Sequence, residues 1–545
     1  MSMRAKVSIH PDYRIAPVER RIFSAFLEPI GNWVYGGIWN PDHPSADEMG
    51  FRQDILSAIK ACNIPAVRLP GGNFTSGWNW EDSIGPLETR KTHLDLAWRQ
   101  YENNRIGHDE YLEWARRAGV EAMYTINMGT AGIDSAMRCV EYSNHPGGTY
   151  WSDLRIKNGY KEPHSVKTWY LGNEMDGPWQ IGSWEKNPVG YGIKVNETSK
   201  AMKWIDPTLK TIVSGSSMFR NRSYPQWDAD VLEQCYENVD YLSLHYYHDA
   251  PPNNFGALLN GSTLFEEMIH TEIGVCDYIK AKLRSPHPIM ISFDEYSCSF
   301  GTPGKQAPGR TGYIPPENYG EFTPENLNRP FRHPNAPRTG KQRRQGEMLK
   351  ALSSASILMV FLRHADRVKI GCMTGAIRGA IAFDDEHVWE SGLYHAYVLL
   401  NRYSHGMSLL PSVQAPTFDV EGYRLSERMQ APEYEGVPFI EAAAVQDEEA
   451  GEANIFLINR NWMDAIDIDL DVKGFEGYSL LEHIELQTDD LDAYNTFDHP
   501  RSVYPRINTE TKTEDGILRI QAKKLSFNVI RLKKNDVKRG CQAKP

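Results

Sequence analysis

Eight short apolar runs, most of them separated by longer stretches that include helical periodicity, limit what this chain can fold into. The runs are Ile22 to Leu27, Ala66 to Leu69, Glu121 to Asn127, Val166 to Leu171, Thr211 to Val213, Tyr241 to His245, Pro288 to Phe293 and Arg367 to Cys372. Between them lie stretches such as Met49 to Cys62, Tyr111 to Ala118 and Lys194 to Lys203. Strands buried on both faces read as continuous apolar runs, and parallel strands need crossover connections, usually helical. The pattern predicts an α/β fold, a (β/α)8 TIM barrel over residues 21–402, with functional groups at the C-terminal ends of its strands.

Those ends carry residues that are costly to bury. Glu28, Asn73, Asn127, Asn173 with Glu174, His245 with Tyr247, and Asp294 with Glu295 each stand at or just after a run. An unpaired carboxylate in a core costs several kcal/mol or takes up a proton. One such residue fits a helix cap, but a ring of them around one barrel mouth has no structural return and marks a site.

Beyond Tyr403 the period changes to two. Ile466, Ile468, Leu470 and Val472 alternate with Asp467, Asp469 and Asp471, a strand with one dry and one wet face. Segments Glu441 to Val445, Asn454 to Asn459, Tyr478 to Leu486 and Leu525 to Leu532 are similar, which predicts a C-terminal antiparallel β-sandwich over residues 403–545. The aspartates read as a solvated face and not a calcium site. Within residues 1–20, Val7 to Ile9 is a candidate strand for pairing with that domain. Thr302 to Pro337, with eight prolines, leaves the C-terminal end of the seventh run and is read as an inserted loop placed to cover the mouth.

Composition narrows the partners. With 59 Lys and Arg against 71 Asp and Glu, the formal charge of −12 argues against nucleic acid. The first residues lack a secretory apolar run and the longest purely apolar run, Ile357 to Leu362, is far too short to cross a bilayer; the expectation is a cytoplasmic protein with no membrane partner. Seven scattered cysteines show no metal-ligand spacing and read as reduced thiols.

In the run Pro288 to Ser297, side-chain alternation along a strand lets only one of Asp294 and Glu295 face the mouth, and Glu295 is taken as that one. Glu174 and Glu295 then form a carboxyl pair from the fourth and seventh strand ends. Two carboxyls flanking a bond are the apparatus of glycoside hydrolysis, one donating a proton to the leaving oxygen and one acting as nucleophile. Tyr247 and Arg68 offer a hydroxyl and a cation to keep the nucleophile ionised, although Arg68 fits a structural ion pair equally well. Trp78, Trp80, Trp98 and Trp179 suit stacking on sugar faces, and a single tryptophan suits packing. His245, His248 and Asp249 match no metal motif; no metal and no cofactor is expected.

The segments RLPGGNFTSGWNWEDSIGP from Arg68, HPGGTYWSDLR from His145, GNEMDGPWQIG from Gly172, SFDEYS from Ser292 and LRHADRVKI from Leu362 together resemble glycoside hydrolase family 51, the α-L-arabinofuranosidases. The resemblance covers nearly the whole chain. It implies a barrel with a β-sandwich, retention of anomeric configuration and a homo-oligomer, commonly a hexamer. By resemblance Glu174 is the acid/base and Glu295 the nucleophile. Glu28, Asn73 and Asn173 match positions that hydrogen-bond furanose hydroxyls, Trp98 matches a residue lining the sugar site, and Tyr247 matches the tyrosine beside the nucleophile; Arg68 and His245 are supporting residues. The sequence departs from the family at CMTGAIR, which puts Gly375 where a glutamine is usual, and at YSCSF after Glu295.

The expected function is therefore a retaining, exo-acting release of terminal α-L-arabinofuranosyl residues from arabino-oligosaccharides. Hydrolysis of another furanoside or of internal β-glucan or xylan bonds, or sugar binding without catalysis, are the alternatives.

Overall fold

The computed structural model describes residues 3–98, 100–301, 346–425 and 430–535. Eight strands close a barrel: β1 (Ser24–Phe26), β2 (Ala66–Leu69), β3 (Glu121–Ile126), β4 (Thr168–Leu171), β5 (Lys210–Ser214), β6 (Tyr241–Ala250), β7 (Met290–Phe300) and β8 (Val368–Met373). All neighbours are parallel, and β8 pairs back onto β1. Phe26, Ala66, Met123, Tyr170, Ile212, Tyr241, Ile370 and Cys372 pack together inside it as the dry floor beneath the mouth. Amphipathic helices such as His108–Ala118, with Tyr111, Leu112, Trp114, Ala115 and Ala118 turned inward, cover the outside.

Two expectations are corrected here. The first apolar run is strand only over Ser24–Phe26, because Arg20–Phe23 winds as a 3-10 turn and continuous apolarity cannot tell the two apart. The sixth and seventh strands run past their predicted ends to Ala250 and Phe300, pairing with each other beyond the barrel rim.

A sandwich follows, of one five-stranded and one seven-stranded sheet. The alternation at Ile466–Asp471 is realised, with Ile466, Ile468 and Leu470 buried. Met3–Ser8 lies beside that strand in parallel register, Val7 opposite Leu470, so the sheet is not wholly antiparallel. Met3–Ser8 pairs antiparallel with Ser412–Gln414 on its other side.

The apolar run Ile357 to Leu362 is wholly buried in the helix Glu347–Arg363, and among the described residues no helix is long and apolar enough to cross a membrane. Cys62, Cys139, Cys235, Cys276, Cys298 and Cys372 are buried and unpaired. Cys541 and the segment Thr302 to Pro337 lie outside the described residues.

Candidate active site

The barrel mouth is organised by Arg68, the third residue of β2, whose side chain is completely buried. Its guanidinium stands over the rings of Phe26 and Tyr170, 5.3 and 4.8 Å from their centroids. Nη1 donates to Glu295 Oε1 at 2.6 Å and Nη2 to Asn173 Oδ1 at 2.7 Å, while Nε lies 3.1 Å from Asp294 Oδ2. Asn173 in turn donates to Asn73 Oδ1 at 2.9 Å. One planar cation thus ties together groups from the ends of β2, β4 and β7.

The expectation that only one acid of the Asp294–Glu295 pair faces the mouth is overturned. Leu244 pairs with Phe293 but His245 pairs with Glu295, so Asp294 is an extra residue in the ladder, a β-bulge. The bulge resets the alternation and both acids meet Arg68. His245 lies between the acids of the mouth, with Nε2 3.1 Å from Asp294 Oδ2, and Nδ1 3.2 Å from Glu174 Oε1 and 3.7 Å from Glu295 Oε2. Tyr247 donates to Glu295 Oε2 at 2.7 Å, and its hydroxyl also lies 3.1 Å from Thr374 Oγ1.

Glu28 closes the other wall. Its Oε1 accepts backbone N–H bonds from Gly72 at 3.1 Å and Phe74 at 2.9 Å, with the Trp98 indole beside it just outside full hydrogen-bond geometry. A side chain at Gly71 would sit 2.5 Å from Glu28 Cγ, and one at Gly72 would sit 2.7 Å from Glu295 Oε1. The glycines after β2 let the backbone reach both carboxyls. Asp95 accepts from the Ala97 and Trp98 N–H groups and fixes the turn that carries Trp98.

Electrostatics follow from crowding. Burial, reinforced by the charge of Glu295, pushes Glu28 up to about 8. For His245 burial alone would favour the neutral ring, but Glu295 and Asp294 outweigh it and raise the imidazole to about 10. Burial likewise opposes ionisation of Asp294, yet Arg68 and His245 hold it below the usual carboxylate range. At neutral pH His245 is therefore an imidazolium whose ring nitrogens both carry protons. Glu174, His245 and Glu295 are close together, with one atom of each within 4.8 Å of the others.

An oxygen of Glu174 and an oxygen of Glu295 thus lie within 4.8 Å of each other, both side chains almost fully buried at one barrel mouth. Such a pair is the working geometry of retaining glycosidases, whose carboxyls stand about 5 Å apart. The sequence model of the α-L-arabinofuranosidase 1 domain matches residues 58–264, and that of the α-L-arabinofuranosidase C-terminal domain matches residues 319–526. An intracellular exo-α-(1→5)-L-arabinofuranosidase of Halalkalibacterium halodurans is 37% identical, the match covering 98% of this chain and 100% of that one. Another from Bacillus subtilis is 38% identical, over 97% and 99%. The chain belongs to glycoside hydrolase family 51. Among solved structures, a family 51 α-L-arabinofuranosidase from Bifidobacterium longum superposes with a TM-score of 0.83 at 29% identity, covering 98% of this chain and 100% of that one.

In this family 51 member the residues singled out by sequence, Glu28, Arg68, Asn73, Trp98, Asn173, Glu174, His245, Tyr247 and Glu295, converge on the mouth. Three others do not. Asn127 folds onto its own loop, accepting from the N–H groups of Gly129, Thr130 and Ala131. Trp80 packs among His108, Tyr142 and Trp151, and Trp78 donates to Asn104 Oδ1. Trp179 is at the site in a different capacity, donating to Glu174 Oε2 at 2.6 Å. His248 is hydrogen-bonded to the Ala257 carbonyl at 2.9 Å. At Gly375 a side chain would meet nothing nearer than Leu393 Cδ2 at 4.0 Å, so that position has open space. Sequence reasoning set Asp294 aside in favour of Glu295, because only the bulge turns both inward, and missed Thr374, whose hydroxyl carries no periodic signal.

Proposed function

We propose that this chain is a retaining, exo-acting α-L-arabinofuranosidase that releases terminal arabinofuranosyl residues from arabino-oligosaccharides. The observation that carries the reading is the close, buried pair of Glu174 and Glu295, held differently on its two sides. Glu295 accepts from Arg68 and Tyr247, which hold both its oxygens in place for attack, as a nucleophile requires. Glu174 touches neither. Among the described residues, Arg68 and His245 face Asp294 and Glu295 as two bases against two acids, with Glu174 beside them.

In the first step Glu295 attacks the anomeric carbon while Glu174 gives its proton to the glycosidic oxygen, and the carbon–oxygen bond breaks. In the second, Glu174 takes a proton from water, the oxygen attacks the same carbon, and the bond to Glu295 breaks. Asn73, Asn173 and Glu28 hold the furanose hydroxyls and Trp98 lines the sugar; a wall this closely packed takes one terminal residue, which supports exo action. Relatives of 37–38% identity named for α-(1→5) linkages favour that bond here. One of 32% identity is named for α-(1→6), so both linkages belong in the assay. Those named intracellular also favour action inside the cell.

Glu295→Ala should lose turnover on every aglycone. Glu174→Ala should lose about 10²–10⁴-fold on sugar aglycones and far less in the first step on nitrophenyl arabinofuranoside, whose leaving group needs no proton. Added azide should then yield a glycosyl azide of retained configuration; an inverted azide, or equal losses on both substrates, would sink the assignment. Chelator treatment should leave activity unchanged.

A further inference from the structure

After β4 the chain makes a tight turn in which Gly177 N–H donates to the Glu174 carbonyl at 2.9 Å, and Glu174 itself takes a left-handed φ of +47°. The turn is bolted to the next loop. Met175 N–H donates to Ser214 Oγ at 3.3 Å, and Asp176 Oδ2 accepts from Ser217 N–H at 3.1 Å and Asn221 Nδ2 at 2.5 Å. Trp179, half-buried, then folds back so that its indole N–H meets Glu174 Oε2 at 2.6 Å. That path exists only because residue 177 is glycine: a Cβ there would lie 2.5 and 2.6 Å from Cε2 and Cζ2 of the Trp179 ring. An indole nitrogen donates and never accepts. Glu174 therefore has a donor beside each oxygen, the indole N–H at Oε2 and His245 Nδ1 3.2 Å from Oε1.

We infer that Trp179 is a positioning residue for the acid: its N–H orients the Glu174 carboxyl and supports its ionised form, and Gly177 is the gap that admits its ring. The inference rests on Glu174 being the acid proposed above. Because the N–H bonds the ionised form more strongly than the neutral one, losing it makes Glu174 hold its proton to higher pH. Trp179→Phe keeps the ring and removes the N–H; Gly177→Ala keeps the indole and displaces it. On an α-(1→5)-arabinobiose substrate, the alkaline limb of kcat/KM should move up by about one pH unit in both variants, as for loss of one charge-assisted hydrogen bond. The disaccharide should lose about tenfold more kcat/KM than nitrophenyl arabinofuranoside. A limb that stays in place in Trp179→Phe overturns the inference, whatever the loss of activity. Should that variant fail to fold, Gly177→Ala decides by the same criterion. Glu174→Ala in the same assay should abolish the alkaline limb. If it does so while the limb in the other variants stays fixed, Glu174 keeps its role and Trp179 loses the one inferred; if the limb survives in Glu174→Ala, the assignment of the acid itself fails.

Discussion

Two fully enclosed arginines, Arg68 at the barrel mouth and Arg460 at the seam between barrel and sandwich, answer the same problem in opposite ways. Arg460 donates to the carbonyls of Leu259 and Pro438, to Ser262 Oγ and to Glu441 Oε1, and Glu441 accepts in addition from Ser262 and Ser356. Neutral dipoles carry most of that network around one cation and one acid, although Arg460 Nε has no hydrogen-bond partner among the described residues. Arg68 faces two carboxylates and an amide oxygen, in a mouth where Glu28, Glu174, Asp294 and Glu295 outnumber Arg68 and His245. Among the described residues the seam has one acid per base and the mouth has a surplus. A saturated pair holds structure, whereas a surplus of acids leaves protons and charges free to be exchanged with a substrate.

The sharpest way to break the comparison is to remove each guanidinium. Stripping one partner from a buried pair costs about 3–5 kcal/mol, because the other charge stays behind. Arg68→Met should therefore lower kcat/KM by about 10²–10³-fold or more as well as the melting temperature. Arg460→Met should destabilise by a similar amount, yet the folded fraction should keep kcat within about twofold. Unfolding curves and steady-state kinetics on both proteins give the answer; equal losses of kcat would erase the distinction.

The difference was only half legible from sequence. Polar strand ends such as Glu28, Asn73 and Glu174 stood out because nothing structural is gained by burying them together. Arg460 and Glu441 gave no such signal, since their pairing joins a loop and a strand through Ser262 and Ser356, far away in the chain. Asp294 was misassigned because alternation holds only until a bulge, and a bulge depends on the register against β6. Trp179 read as a stacking surface because its ring is visible in composition, while the glycine gap that aims its N–H is a property of three dimensions. Val7 to Ile9 was read as a candidate strand, whereas the strand is Met3–Ser8, and its parallel pairing with Ile466–Asp471 carried no sequence signal.

The surplus should also make stability at the mouth depend on pH. Glu28 has an unfolded value of 4.5 and a folded value of about 8, so between these the folded chain holds a proton that the unfolded chain has released. Stability therefore falls as pH rises through that window. His245 acts in the same sense: its folded value of about 10 against 6.5 unfolded gives stabilisation complete below 6.5 and lost as pH rises through 10. Glu28→Gln should flatten the decline between about pH 5 and 8, and at pH 9 should be more stable than the parent by on the order of 2–3 kcal/mol while binding arabinose more weakly. His245→Gln should flatten the later part of the curve. Arg460→Met should lower the whole curve, because the charge of Glu441 stays behind.

Single hydroxyls offer a finer test. Tyr247→Phe deletes the donor to Glu295 Oε2, and a hydrogen bond to a charged group is worth about 1.5–3 kcal/mol, so kcat/KM should fall about 10–100-fold with little change in melting temperature. Ser356→Ala removes a donor to Glu441 and should do the reverse, costing about 1–2 kcal/mol of stability and no activity.

The smallest expected effect is the most discriminating. A buried ion pair is a poor source of net stability, because desolvation of its two charges offsets most of their attraction; replacing both by apolar groups of similar volume is often neutral or better. The double change Arg460→Met with Glu441→Leu removes cation and acid together. Ser262, Ser356 and the carbonyls of Leu259 and Pro438 lose a partner, at about 1 kcal/mol each at most, against relief of the desolvation that already lowers the Arg460 pKa. Its unfolding free energy should lie within about 2 kcal/mol of the parent, its kcat within about twofold, and far above the Arg460→Met single variant in stability. The matching pair at the mouth, Arg68→Met with Glu295→Leu, should fold and show no turnover. If the seam double variant is as unstable as either single one, the carbonyls and hydroxyls around Arg460 need its charge, and saturation is not what separates a structural arginine from one at a reacting site.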